Sequence, residues 1–166
     1  MKQENNIEQI VNDINSKGWM YALNTHKIPE EFFRANLKVI PNDFTLWNTI
    51  FQTQILSEEF LAFNKAKLEM DGGINWAVIS GHQQLSEDFI RQFKNKLDWD
   101  FIVIRQKLSE AFIEKHAQYI DWWLLGAWQE LSDEFVEKHS YKLDMEQLLR
   151  YEDNKKLKRY GKPINS

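Results

Sequence analysis

The chain contains no cysteine, which removes disulfides, thiolate nucleophiles and Cys-bearing zinc sites from consideration and fits a reducing compartment. Only six glycines and three prolines occur in 166 residues, too few punctuators for a turn-rich all-β chain. No apolar run approaches the roughly 18 residues of a membrane span. The opening stretch, MKQENNIEQIV, is too polar for a secretion signal, so the expected location is the cytoplasm, with no membrane partner. A basic excess is lacking too. Net charge is −4; six basic against two acidic residues from Arg150 to Ser166 give that end +4 and leave −8 on the first 149 residues. Such a body lacks the basic stripe of a nucleic-acid binder, and residues 155–166 read as a basic flexible tail.

Aromatic residues, by contrast, are abundant: 14%, including seven tryptophans. They stand in register. An apolar residue opens each of five units, at Ile28, Leu56, Leu85, Leu108 and Leu131, with spacings of 28, 29, 23 and 23. Four residues after each opener stands Phe32, Phe60, Phe89, Phe112 or Phe135, followed by a second apolar residue, Phe33, Leu61, Ile90, Ile113 or Val136. Twelve after it stands Ile40, Leu68, Leu97, Ile120 or Leu143. Nine before each opener is a tryptophan (Trp19, Trp47, Trp76, Trp99, Trp122), and two before it His26, Gln54, Gln83, Gln106 or Gln129.

Within residues 85–107, Ser86 can cap a helix that carries Glu87 and Asp88 in its first turn, with Phe89, Ile90, Phe93 and Leu97 at helical spacing. Asp98 can cap a second helix beginning at Trp99, and Asn75, Asp121 and Asp144 hold the same slot. Pro29 replaces the serine in the first unit and suits a helix's first turn. Each unit therefore reads as two short helices of about nine or ten residues. Helices that short are marginal alone, since isolated ones need ~12–15 residues, so each unit must be covered by its neighbours. The expected fold is all-α: an α-solenoid of two-helix repeats in one domain over residues 1–154. A capping helix is expected at 3–17, where Ile7, Ile10, Val11 and Ile14 share a side. A degenerate half-unit follows at 19–27, then units 28–55, 56–84, 85–107, 108–130 and 131–154, the last closing the other end. The tryptophan column is expected to form a buried spine.

The phrases LSEDF…KLDWDFI…Q, LSEAF…IDWWLL…Q and LSDEF…KLDMEQL resemble a short tandem repeat of uncharacterised proteins from bacteria, their phages and large DNA viruses. The resemblance spans roughly Trp19 to Leu149. It implies a helical-repeat protein and a mobile-element origin, which would place it in the bacterial host's cytoplasm. It carries no catalytic residue and names no partner.

Candidate sites follow from departures from the register. The Gln column can bond the backbone of the adjoining turn, as an amide with donors and acceptors can, or face a partner as a polar ladder. His116 and His139 are equivalent and could pair on a metal, but no third ligand is evident. DGGIN lacks the lysine and glycine spacing of a phosphate loop. Trp123 and Trp128 occupy slots that elsewhere hold Asn48, Ala77 and Asp100, or Thr53, His82 and Arg105. They form a surface contact patch, unless the gap at Gly126 draws one inward. The two long units carry their extra residues at one link, around Pro41, Asn42 and Asp43 and around Asp71, Gly72 and Gly73. These loops are either a binding rim or neutral drift.

The reading that follows is a non-enzymatic module without cofactor or metal that binds a protein. Its acidic body suits a nucleic-acid-handling host protein, and its resemblance suits a phage-encoded inhibitor of a host enzyme or defence complex. Self-association through Trp123 and Trp128 is the alternative. A small enzyme with a cleft at the insertion loops is the third.

Overall fold

In the computed structural model, residues 4–64 and 76–143 are described. Asp71, Gly72 and Gly73, the C-terminal cap and the basic tail lie outside them. The chain divides between Leu85 and Ser86 into two compact units. All regular structure among the described residues is helical, with no strand.

The first unit holds α1 (Glu4–Lys17), α2 (Trp19–Thr25), α3 (Glu30–Asn36), α4 (Phe44–Thr53), α5 (Glu58–Phe63) and α6 (Trp76–His82). The second holds α7 (Glu87–Phe93), α8 (Trp99–Arg105), α9 (Glu110–Lys115), a 3₁₀ turn (Ala117–Tyr119), α10 (Trp122–Trp128) and α11 (Asp133–His139). Ser57, Ser86, Ser109 and Ser132 each accept from the N–H three residues on. Of the caps expected for the second helices, Asp98 and Asp121 do so, while Asn75 and Asp144 lie outside the described residues. Asp43, read as part of a turn, caps α4 in the same way.

Most of these helices have six or seven residues, shorter than the expected nine or ten. In three repeats the first helix stops where one carbonyl takes two later N–H groups. Asn36 O accepts from Val39 and Ile40, Phe93 O from Lys96 and Leu97, and His139 O from Lys142 and Leu143. That tight turn drops Ile40, Leu97 and Leu143 into the core. The insertion in residues 28–55 is largely absorbed by helix: α4 starts at Phe44, three residues before Trp47, and reaches ten residues.

Second helices pack side by side: α2 against α4, α4 against α6, and in the second unit α8 against α10. Their buried face is an aliphatic column six residues before each opener: Ala22, Ile50, Ile79, Ile102 and Leu125, none more than 1% exposed. Phe33, Leu61, Ile90 and Ile113, five after the openers, face it from the first helices.

The tryptophans are not the buried spine expected of them. Trp47 is buried, but Trp19, Trp76, Trp99 and Trp122 are half-buried. Three of them roof the phenylalanine 13 residues on, Trp19 over Phe32 at 6.1 Å, and Trp99 over Phe112 and Trp122 over Phe135 at 6.3 Å, whereas Trp47 meets Phe51 at 5.9 Å. An indole must satisfy its N–H, and Trp99 Nε1 does so on Lys94 O at 2.9 Å, a partner found at the edge of the core and not in its centre.

Candidate functional site

The glutamine column is a backbone clamp. Gln54 accepts from Ile28 N through Oε1 and donates through Nε2 to Leu23 O and His26 O. Gln83 repeats this on Leu56 N, Phe51 O and Gln54 O, and Gln129 on Leu108 N, Val103 O and Gln106 O. The side chain closes the extended link between consecutive repeats, where helix geometry leaves donors and acceptors open. All three are at most 5% exposed, so they present no polar ladder to a partner.

His26 holds the same slot but faces α1, which offers no such link. It pairs instead with Asp13, Nε2 to Oδ2 at 2.7 Å. Asp13 also takes Lys17 Nζ at 2.9 Å and Gln9 Nε2 at 3.3 Å. These donors, His26 foremost, pull its pKa from 3.8 down to about 2. The unfolded chain binds this proton first, so the pair stabilises the fold above pH ~4, and that share is lost as pH falls toward 2. Acid titration of stability should therefore be shallower for Asp13→Asn than for the parent between pH 4 and pH 2. Equal slopes would show that α1 is not held by this carboxylate.

A second device passed unread in the sequence. The glutamate two residues after an opener reaches the next repeat's capping serine. Glu30 accepts from Ser57 N and Oγ, Glu87 from Ser109 N at 2.6 Å, and Glu110 from Ser132 N at 2.6 Å and Oγ at 3.1 Å. Burial works against the charge of Glu30, but the bonds from Ser57 and Arg34 outweigh it and hold its carboxyl below the usual range. The signal was a column of Glu30, Glu58, Glu87, Glu110 and Asp133, which helix-dipole reasoning alone explained too easily. Pro29 fits the same logic. It has no N–H to strap.

His116 and His139 are not a metal pair. His116 is buried, stacked on Phe112 at 4.1 Å, its Nδ1 on Phe112 O. His139 Nε2 lies 2.9 Å from Glu114, which also takes Lys138 at 2.8 Å. His139 first, then Lys138, lowers the Glu114 pKa. No group of three or more His, Asp or Glu side chains among the described residues could hold a metal ion.

Trp123 and Trp128 are about half exposed, at 49% and 51%, so neither folds inward over Gly126. Five positions along α10 separate them by about 140° of rotation, so they stand at opposite edges of its outer face, with Ala127 and Leu124 between them. Trp128 borders a cleft of about 250 Å³ with Ile104 and Arg105 of α8 and Lys107 beyond it. Phe101, 41% exposed, and half-buried Ile104, Leu124 and Ala127 complete an apolar surface there. The equivalent cleft in the first unit, about 350 Å³, is lined by Asn24, Thr25, Lys27, Gln52 and Thr53. The packing of second helices therefore tolerates polar residues at these positions. Of the first insertion, Pro41, Asn42 and Asp43 are exposed, and Asp43 is spent capping α4, with Oδ1 2.7 Å from Leu46 N.

No helix among the described residues is long and apolar enough to cross a membrane. Comparison with protein-family models, with curated proteins and with solved structures finds no match.

Proposed function

We propose that the protein is a non-enzymatic α-solenoid that binds another protein through the outer apolar face of α8 and α10. The observation that supports this is the contrast between equivalent clefts. Asn24 and Thr53 stand in the first unit where Ile104 and Trp128 stand in the second, while Thr25 answers to Arg105. Half-exposed tryptophan at a position the fold does not need apolar is the composition of an interaction hot spot. The mechanism is occupancy: a preformed surface covers a partner's site without chemistry. The resemblance to phage-borne repeats extends the reading to an inhibitor of a host enzyme or defence complex. The acidic body extends it to a target that handles nucleic acid.

Capture from bacterial lysate should recover one stoichiometric partner, and Trp128→Ser or Phe101→Ser should weaken that capture about tenfold or more, with thermal stability nearly unchanged. Retained capture by both variants would remove this face from the proposal. Self-association through Trp123 and Trp128 competes for the same surface. Light scattering separates the two: a mass that rises with concentration and falls back in Trp128→Ser favours the oligomer, and a strict monomer removes it.

A further inference from the structure

The junction between α1 and α3 differs from every other described junction within either unit. In repeat register, α1 stands where a first helix would, 14 residues before Trp19 as Leu108 stands 14 before Trp122. Ile10, fully buried, takes the slot of Phe33, Ile90 and Ile113. The straps, however, are gone. Ile7 stands in the slot of Glu110 and Val11 in that of Glu114. Across from them, Ala35 and Val39 replace Lys138 and Lys142. Where the Glu110–Ser132 and Glu114–Lys138 bonds close the junction between α9 and α11, α1 and α3 leave an open cleft of about 600 Å³.

The cleft is not a packing accident of small residues. Val39 is 71% exposed, Ile7 39% and Val11 38%, and Trp19 and Phe32 form its floor. Its α1 wall is Ile7, Val11 and Ile14, a ridge at i, i+4 and i+7. Its opposite wall carries Phe32 and Ala35 of α3 and Val39 of the turn that follows. Such ridges accept the side chains of a third helix. One charged group lines it, Glu31, which is exposed and makes no ion pair among the described residues. Lys17 is paired with Asp13 and Arg34 with Glu30, and Lys38, next to Val39 in the chain, does not line the cleft.

We infer that the α1–α3 cleft is a second protein-binding site, built for an amphipathic helix of a partner that carries an apolar stripe beside lysine or arginine. The stripe seats between the ridges, and the cation meets Glu31. This site is independent of the α8 and α10 face.

Fluorescence anisotropy with a labelled helical peptide of about 16 residues, leucines on one stripe and lysines elsewhere, tests it. Two controls accompany it: a twin with glutamate for lysine, and a lysine-bearing scramble without the stripe. The striped lysine peptide should bind about tenfold or more tighter than either control. Val11→Glu should reverse that gain, and Glu31→Lys should abolish the preference for the lysine peptide over its glutamate twin. Ala35→Trp fills the cleft from within without adding charge, so it should block the peptide while the melting temperature holds, a check that lost binding is not lost fold. The inference is overturned if the scramble binds as well as the striped peptide. It is also overturned if Val11→Glu and Ala35→Trp leave binding unchanged, or if these variants abolish self-association or binding to phosphatidylcholine vesicles and leave the peptide unaffected.

Discussion

Gln83→Leu should destabilise the protein by about 3–9 kcal/mol, three buried backbone groups at roughly 1–3 kcal/mol each. Leucine keeps the volume and removes the amide. Leu56 N, Phe51 O and Gln54 O then lose a partner in a place where Gln83 is 2% exposed. The melting temperature should fall by roughly 10 °C or more, and the Leu56 amide should lose protection from hydrogen exchange before distant amides do. Gln84→Leu, one residue along on the exposed side, is the control and should change stability by less than about 0.5 kcal/mol. Equal effects at the two positions would mean that the clamp contributes nothing beyond side-chain bulk.

Phe60→Ala carries the second large effect. Phe60 is fully buried and Arg34 lies over its ring at 5.4 Å. Truncation should cost about 3–5 kcal/mol, the lost transfer energy plus the cavity left behind. Phe63, in the same helix three residues on, is 80% exposed, and Phe63→Ala should change stability by no more than about 0.5 kcal/mol. Urea denaturation of the pair checks this, read separately for the two compact units if two transitions appear. Comparable losses at both positions would place the core on the wrong side of α5.

The recurring phrase made much of this architecture readable. Helix type, the serine and aspartate caps, the boundaries of α1 and the buried phenylalanines all follow from residues whose local chemistry admits few alternatives. Helix length was misjudged because the carbonyls of Asn36, Phe93 and His139 each gather two N–H groups, a tertiary turn with no sequence punctuation. The tryptophans misled because the size of an indole suggests a centre, whereas its N–H asks for an edge. The aliphatic column from Ala22 to Leu125 drew less notice than the aromatics, though it is the more completely buried. The glutamine slot left two roles open until its partners were known. The glutamate strap had a clear column but also a sufficient local explanation. Of the candidate contact residues, Trp123 and Trp128 are exposed as expected, and helical rotation sets them at the two edges of one face of α10. The α1–α3 cleft escaped notice because Ile7 and Val11 read equally well as the inner side of a cap.

Across the joint, the clamp residues bond main-chain atoms of the preceding repeat. As far as the clamp is concerned, any stretch able to adopt that extended conformation is an acceptable predecessor. A gene encoding such a chain can therefore grow or shrink by copying whole segments in frame, because each copy brings its own clamp, strap and buried residues to the new joint. Surfaces can then diverge freely, copy by copy, while the joint between them stays the same.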